Sequence, residues 1–195
     1  MSKNIQIQQE NVLNAYKNAS DEQKELLEHL FGREVFKPAD VRERIKTFHD
    51  AYCELGNEHP FVISYEKYVN TASGEEADVI AYLKLRIIAA ALNEGWEPKF
   101  TEDETRYYPW YTLWTKEELA QKSEEWKKEH SLWLFGGYSY NGAVCGLASA
   151  YSNLAWSGSY AHISARLAVK SDELAEFFGK QFIDIWADYV LIKKQ

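Results

Sequence analysis

The first half of the chain has the hydrophobic spacing of amphipathic helices. Apolar residues recur at three- and four-residue steps from residue 5 to about 94, which predicts four or five helices. Ser20 and Gln23 match a capping box at the start of one helix, and Gly32 provides its stop. A further apolar stripe predicts a helix from Pro38 to Leu55.

The most apolar helix is predicted from Ala77 to Asn93. Its residues are apolar on nearly all sides, which is typical of a helix enclosed by its neighbours. We therefore expect it at the centre of the core. A shorter amphipathic helix precedes it and begins at Pro60, since proline is well tolerated in the first turn.

The pattern changes after Gly95, where aromatic residues crowd together. Tyr107 to Trp114 has the aromatic and β-branched content of a strand, and Pro109 restricts that strand to an edge or a bulge. A charged helix follows, capped by Thr115 and running to about His130. Core packing is the simpler interpretation of most of these rings, although exposed rings could also contact a partner.

The last third alternates between strands, loops and a closing helix. Ser131 to Phe135 and Ile163 to Val169 have the patterns of short strands, and Ser171 caps the last helix. The sequence therefore predicts an α+β fold with a mainly helical N-terminal half, a small antiparallel sheet with long loops, and a closing C-terminal helix. We expect a helical region over residues 1–95 and a mixed region over 96–195, packed as one unit.

Composition and charge exclude several classes of function. With 195 residues, of which 46% are hydrophobic and 15% aromatic, the chain can bury a core without metals or disulfides. A net charge of -8 opposes binding to phosphate backbones, so we expect no nucleic-acid partner. The longest apolar run, Ile87 to Leu92, is far shorter than a membrane span. We expect no signal peptide, because Gln and Asn interrupt the apolar clusters of the N-terminal segment. We expect a soluble protein, cytoplasmic or virion-associated, without membrane insertion.

No catalytic or metal-binding motif is present. The five histidines lack the spacing of metal ligands, and Cys53 and Cys145 lie outside any CxxC pattern, so we interpret both thiols as reduced and buried. The motifs GxSxG and GxGxxG and the phosphate-binding loop are absent. We nominate no catalytic residue, no metal site and no cofactor.

The segment from Tyr138 to Tyr160 is the strongest candidate for a binding surface. It mixes Tyr and Trp with Ser, Asn and Gly, the composition that binding loops use on rigid scaffolds. The alternative is a small-residue sheet packed against a helix, with Ala148, Ala150 and Ala155 facing inward. The candidate binding residues are Tyr138, Tyr140, Asn141, Tyr151, Asn153, Trp156, Tyr160, His162 and Arg166.

The C-terminal third resembles a known domain type. Gly136-Gly137, Cys145, Ala150 to Asn153 and Ile163 to Leu167 follow the order found at the end of C-type lectin-like domains of the formylglycine-generating-enzyme type. The resemblance covers about thirty-five residues. It implies a C-type lectin-like fold, which variable receptor-binding proteins of phages and bacteria also use, and it implies no catalytic activity.

Nearly the full chain is similar to a group of uncharacterised proteins from gut bacteria and their phages. The motifs that carry this resemblance are Ala91 to Trp96, Tyr107 to Trp110, Ser164 to Leu167, Glu173 to Ala175 and Gly179 to Phe182. The resemblance implies a common fold and a phage or prophage setting. It implies no activity.

Three hypotheses of function follow. The first is a recognition protein that presents the Tyr138 to Tyr160 loops to a protein or a glycan. The second is a structural or packaged virion protein, which would form homo-oligomers through the aromatic stretch. The third is a phage-encoded inhibitor or sequestering protein acting against host defence, with a pocket near Arg106, Trp110 and Arg166.

Overall fold

The computed structural model of the chain describes residues 6–71, 76–99, 104–129, 146–155 and 165–191. Contacts divide the chain into two units, Met1–Arg44 and Ile45–Gln195. Helices dominate the described residues, and the prediction of a mainly helical N-terminal half is confirmed. None of the described helices has both the length and the apolar content that are needed to cross a bilayer.

The first unit is built from short helices whose ends follow local capping chemistry. The Ser20 hydroxyl accepts a hydrogen bond from the Gln23 backbone N–H, and the Gln23 side chain accepts one from the Ser20 N–H, so the predicted capping box is confirmed. Gly32 ends this helix with a φ of 85°, a conformation that favours glycine. The elements are α1 (Gln9–Lys17), α2 (Asp21–Phe31), a 3₁₀ helix (Arg33–Phe36) and α3 (Val41–Arg44).

An aromatic contact joins the elements of the first unit. The rings of Tyr16 and Phe36 stack with centroids 4.1 Å apart, and the Tyr16 hydroxyl donates a hydrogen bond of 2.5 Å to Glu28 on α2. In contrast, α2 contains no buried residue, and Leu26 and Leu30 are exposed on its surface. Among the described residues of this unit, the buried hydrophobic side chains are Val12 and Val41.

The second unit is arranged around one central helix. Leu85, Ile87 and Ile88 of α6 are fully buried, and α6 packs against α4, α5 and α10, as the apolar pattern predicted. The elements are α4 (Phe48–Leu55), α5 (Pro60–Thr71), α6 (Ala77–Asn93), β1 (Arg106–Trp114), α7 (Lys116–Ala120), α8 (Glu124–Glu129), β2 (Gly146–Ala155), a 3₁₀ helix (Ala165–Leu167), α9 (Asp172–Gln181) and α10 (Ile183–Val190).

The predicted helix from Pro38 to Leu55 is wrong, because the chain leaves the helical path before Thr47. The Thr47 hydroxyl accepts a hydrogen bond from the Asp50 N–H, and the Asp50 carboxylate accepts from the Thr47 N–H at 2.8 Å. These side-chain bonds begin a new helix, α4, and compete with continuation of the preceding one. The predicted helix from Thr115 to His130 is likewise divided into α7 and α8, although its Thr115 cap is confirmed.

The closing helix is also interrupted. Ser171 caps α9 as predicted, but Phe182, with φ of -114° and ψ of 30°, separates α9 from α10. The Tyr111 hydroxyl donates a hydrogen bond of 2.7 Å to the Gly179 carbonyl. In a continuous helix that carbonyl would accept from the N–H of Ile183. The tertiary hydrogen bond therefore satisfies a group that the break leaves without its helical partner.

Strands β1 and β2 form an antiparallel ribbon. Their register places Trp110 opposite Tyr151, and it shifts between Trp110 and Tyr111, one residue after Pro109. Helix α9 packs against both strands. The strand predicted from Ile163 to Val169 is wrong over residues 165–167, which form a 3₁₀ helix, and Val169 makes only an isolated bridge to Tyr107.

A buried side chain joins the end of α6 to the segment that follows the 3₁₀ helix Ala165–Leu167. Asn93 is 5% exposed, its amide nitrogen donates to the Ala168 carbonyl at 2.8 Å, and its amide oxygen accepts from the Lys170 N–H at 3.1 Å. The Lys170 ammonium also pairs with Glu94 at 2.7 Å. We refer to the two Asn93 bonds as the Asn93 clamp, since together they hold residues 168–170 in one register.

We expect Asn93→Ala to lower the free energy of unfolding by about 2 to 4 kcal/mol, because one buried and one partly buried backbone group would lose their partners. Urea unfolding followed by circular dichroism measures this change. Asn70→Ala, the same substitution at an exposed site on α5, should change the free energy by less than about 0.5 kcal/mol. Equal effects of the two substitutions would contradict a structural role for the clamp.

Candidate functional site

Three of the nine sequence-predicted binding residues lie within the described part of the chain. Tyr151 and Asn153 belong to β2, where the register sets them opposite Trp110 and Tyr108. Arg166 is exposed on the 3₁₀ helix Ala165–Leu167. The candidates that lie outside the described residues are Tyr138, Tyr140, Asn141, Trp156, Tyr160 and His162.

A cavity of about 600 Å³ lies beside Arg166 in the second unit. Its wall combines the start of α5, the end of α6, residues 95–98 and the 3₁₀ helix Ala165–Leu167. Apolar and aromatic side chains make up most of this wall, as is usual for pockets that bind small molecules. The lining residues that determine its chemistry are His59, Phe61, Ala90, Trp96, Glu97 and Arg166.

The chain reverses at the end of α6 and so brings Trp96 into the wall. Glu94 and Gly95 have φ angles of 50° and 85°, and the Trp96 N–H donates to the Asn93 carbonyl at 2.9 Å. The half-buried Trp96 packs against Tyr108 and Ala168, two buried residues. The ring is therefore supported from behind by the residues around the Asn93 clamp.

His59 caps α5 at the edge of the cavity. Its Nδ1 accepts a hydrogen bond of 3.2 Å from the Phe61 N–H, so the neutral ring carries its proton on Nε2. Burial lowers the pKa of His59, the positive charge of Arg86 lowers it further, and the Glu97 carboxylate has the opposite effect. The cap and the lowered pKa both favour a neutral imidazole that can donate one hydrogen bond.

Sequence reasoning missed Arg86, which lies one turn before Ala90 on α6. Its guanidinium carbon is 4.1 Å from the ring centroid of Phe61, a geometry typical of a cation–π contact. Among the described residues Arg86 forms no ion pair with a carboxylate, and its buried Nε has no hydrogen-bond partner. Burial lowers the pKa of Arg86. Tyr82 raises this pKa, and the positive charge of Arg166 lowers it.

A signal for Arg86 exists in the sequence. It occupies the middle of the most apolar helix, where a charged residue is expected only with a compensating environment. The stripe of Arg86, Ala90 and Asn93 follows helical steps of four and three, so these residues share one face of α6. That face borders the cavity.

The pocket hypothesised around Arg106, Trp110 and Arg166 requires correction. Arg106 is completely buried on β1, where its guanidinium donates to the Lys99 carbonyl at 3.4 Å, and neither Arg106 nor Trp110 lines the cavity. Only Arg166 of the three does. Spacing along the sequence could not separate a buried arginine from one beside a cavity.

The described residues contain no group of three His, Cys, Asp or Glu side chains that could hold a metal ion. Cys53 is exposed, so its predicted burial is wrong. Its sulfur lies 3.5 Å from Nε2 of His49, one turn earlier on α4. The exposure follows from its position on the outer face of that helix, opposite the buried Ala51.

No protein-family model, no curated protein and no solved structure matches the chain. The resemblances to C-type lectin-like domains and to proteins of gut bacteria and their phages therefore stay predictions. An inference about function therefore depends on the cavity and on the charged residues around it.

We expect His59 to make stability depend on pH. Because its pKa is lowered on folding from about 6.5, the unfolded chain binds more protons as the pH falls through that value, and the native state loses stability. His59→Asn retains a capping side chain but does not titrate. The native chain should therefore lose free energy of unfolding relative to this variant between about pH 7.5 and pH 5.5.

Urea unfolding at both pH values measures that difference. Ser171→Asn, which exchanges one helix cap for another without a titratable group, should change stability equally at the two pH values. Parallel pH profiles for the native chain and His59→Asn would contradict the prediction.

Proposed function

We propose that the protein binds a small organic molecule in the cavity between α5, α6 and the 3₁₀ helix Ala165–Leu167. The observation that carries this proposal is the cavity of about 600 Å³ with its aromatic wall. Pockets for small molecules have volumes of about 300 to 1,000 Å³ and combine apolar walls with a few polar groups. His59, Glu97 and Arg166 are such groups in this wall.

The support behind the wall favours a preformed site. Trp96 packs against buried residues, Phe61 carries Arg86 over its ring, and Asn93 holds the opposite segment by two hydrogen bonds. A site that is ordered before the ligand arrives loses less conformational entropy on binding. This arrangement supports binding and retention of a ligand.

Among the three hypotheses, a cavity favours the sequestering protein. Such a protein needs only a pocket that holds its target, and the cavity supplies the kind of enclosure that this function requires. The phage or prophage setting, action against host defence and the virion alternative remain proposals that rest on the sequence resemblance. The α+β assignment remains a proposal as well, supported by the antiparallel ribbon of β1 and β2.

We expect the uncharged dye phenylnaphthylamine to bind the native chain with one site and with increased fluorescence. Ala90→Phe should abolish this binding, because the larger side chain would fill the cavity from α6. Ala77→Phe, at the exposed start of the same helix, should leave it unchanged. Thermal unfolding checks that both variants are folded.

If Ala90→Phe destabilises α6, Ala165→Phe fills the cavity from the opposite wall and gives a second measurement. Dye binding that persists in a folded cavity variant, or its absence in the native chain, would contradict the proposed function.

A recognition function for the Tyr138 to Tyr160 segment remains a second proposal, supported by its composition. Tyr140→Ala and Trp156→Ala should abolish binding of the chain to a glycan array and leave the melting temperature nearly unchanged. Arg33→Ala, a change in the first unit, serves as the control and should retain any binding. A large loss of stability in the two aromatic variants would instead indicate core residues.

A further inference from the structure

The charges near the cavity differ in sign from the charge of the whole protein. The chain has a net charge of -8, whereas Arg166 lines the cavity and Arg86 lies over the ring of Phe61, which also lines it. The start of α5, a helix of 12 residues, also forms part of the wall, and a helix N-terminus carries a partial positive charge. Glu97, exposed on the loop after α6, is the acidic residue of the lining.

The charges of the two arginines act on each other. Burial lowers the pKa of Arg86, and the positive charge of Arg166 contributes to lowering it. Among the described residues, the rings of Phe61 and Tyr82 lie beside the half-buried Arg86, with centroids 4.1 and 5.7 Å from its guanidinium carbon. An anion beside Arg166 would be attracted by both positive charges.

The remaining groups suit the other parts of such a ligand. Phe61 and Trp96 offer ring surfaces for a planar apolar body. The neutral His59 ring, with its proton on Nε2, provides a hydrogen-bond donor at the same wall. Donors and cations therefore lie beside aromatic surface.

We propose that the ligand is a planar organic anion whose charged group is held beside Arg166, within the field of Arg86, and whose ring contacts Trp96 and Phe61. This inference rests on the proposed function of the cavity. Arg166 is the direct contact, because it lines the wall. Arg86 does not line the cavity and acts through its charge, from its position over the Phe61 ring.

Two dyes of nearly the same shape test the role of charge. Anilinonaphthalene sulfonate carries a negative group that phenylnaphthylamine lacks, so their affinities for the native chain can be compared by fluorescence titration. We expect the sulfonate to bind about tenfold more tightly, the effect of one charge-assisted contact. Arg166→Gln should remove that preference and leave phenylnaphthylamine binding unchanged.

Further variants test whether sulfonate binding depends on charges near the cavity or on the net charge of the protein. Arg86→Gln should weaken sulfonate binding and Glu97→Gln should strengthen it, each by a few fold. Lys84→Gln removes the same charge from α6, but Lys84 contacts the ring of Phe48 and does not line the cavity. This control should leave the affinities of both dyes unchanged.

Competition then identifies the anionic group. Naphthoate and naphthyl phosphate share one ring system, and displacement of the sulfonate dye by one of them assigns the site to carboxylates or to phosphate esters. Displacement by both assigns it to planar anions in general, and displacement by neither overturns the proposal.

The outcomes distinguish this inference from the function on which it rests. The proposal of an anionic ligand would be overturned if the native chain bound the two dyes with equal affinity and Arg166→Gln left both affinities unchanged. If Ala90→Phe abolished binding of both dyes in that case, the cavity would still be a binding site. If neither dye binds the native chain, the proposed function fails and the inference fails with it. Because Arg166 is exposed, Arg166→Gln should fold normally, which thermal unfolding can verify.

Discussion

The Asn93 clamp is the constraint on which the candidate site depends. One buried amide donates to Ala168 and accepts from Lys170, so it satisfies two backbone groups of a segment distant in sequence. Between those groups, Val169 exchanges two backbone hydrogen bonds with Tyr107 at the start of β1. The end of α6, the ribbon and the 3₁₀ helix Ala165–Leu167 are thereby joined at one point, and a cavity wall forms where they meet.

Two positively charged residues, Arg166 and Arg86, lie at or near this wall, although the protein as a whole is acidic. A guanidinium within an apolar helix is costly to bury, and Arg86 is stabilised in part by the faces of Phe61 and Tyr82. The Phe61 ring also lines the cavity, so this cation lies close to the wall. Burial lowers the pKa of His59, and the positive charge of Arg86 lowers it further, so both oppose protonation of the ring. Phe61 thus takes part in both features, since its ring lines the cavity and contacts the Arg86 guanidinium.

Helix boundaries were predictable wherever local chemistry decided them. Ser20, Thr115 and Ser171 cap helices as their sequence patterns indicated, since the bonding groups lie within four residues. The apolar stripe from Pro38 to Leu55 obscured the start of α4 at Thr47, because a continuous stripe can extend over a break in the backbone. The break at Phe182 could not be predicted, since Tyr111 bonds to the Gly179 carbonyl from another element.

By itself the sequence determined the central helix α6, the caps and the first strand, all of which depend on neighbours along the chain. Of the candidate binding residues, it identified Arg166 in the cavity wall, but not His59, Trp96 or Arg86 as members of one site. Only the tertiary structure determined that these residues lie together around one cavity. The physical reason is that the Asn93 clamp joins segments far apart in sequence. The residues next to Asn93 in the sequence do not determine which distant backbone groups its amide will bond.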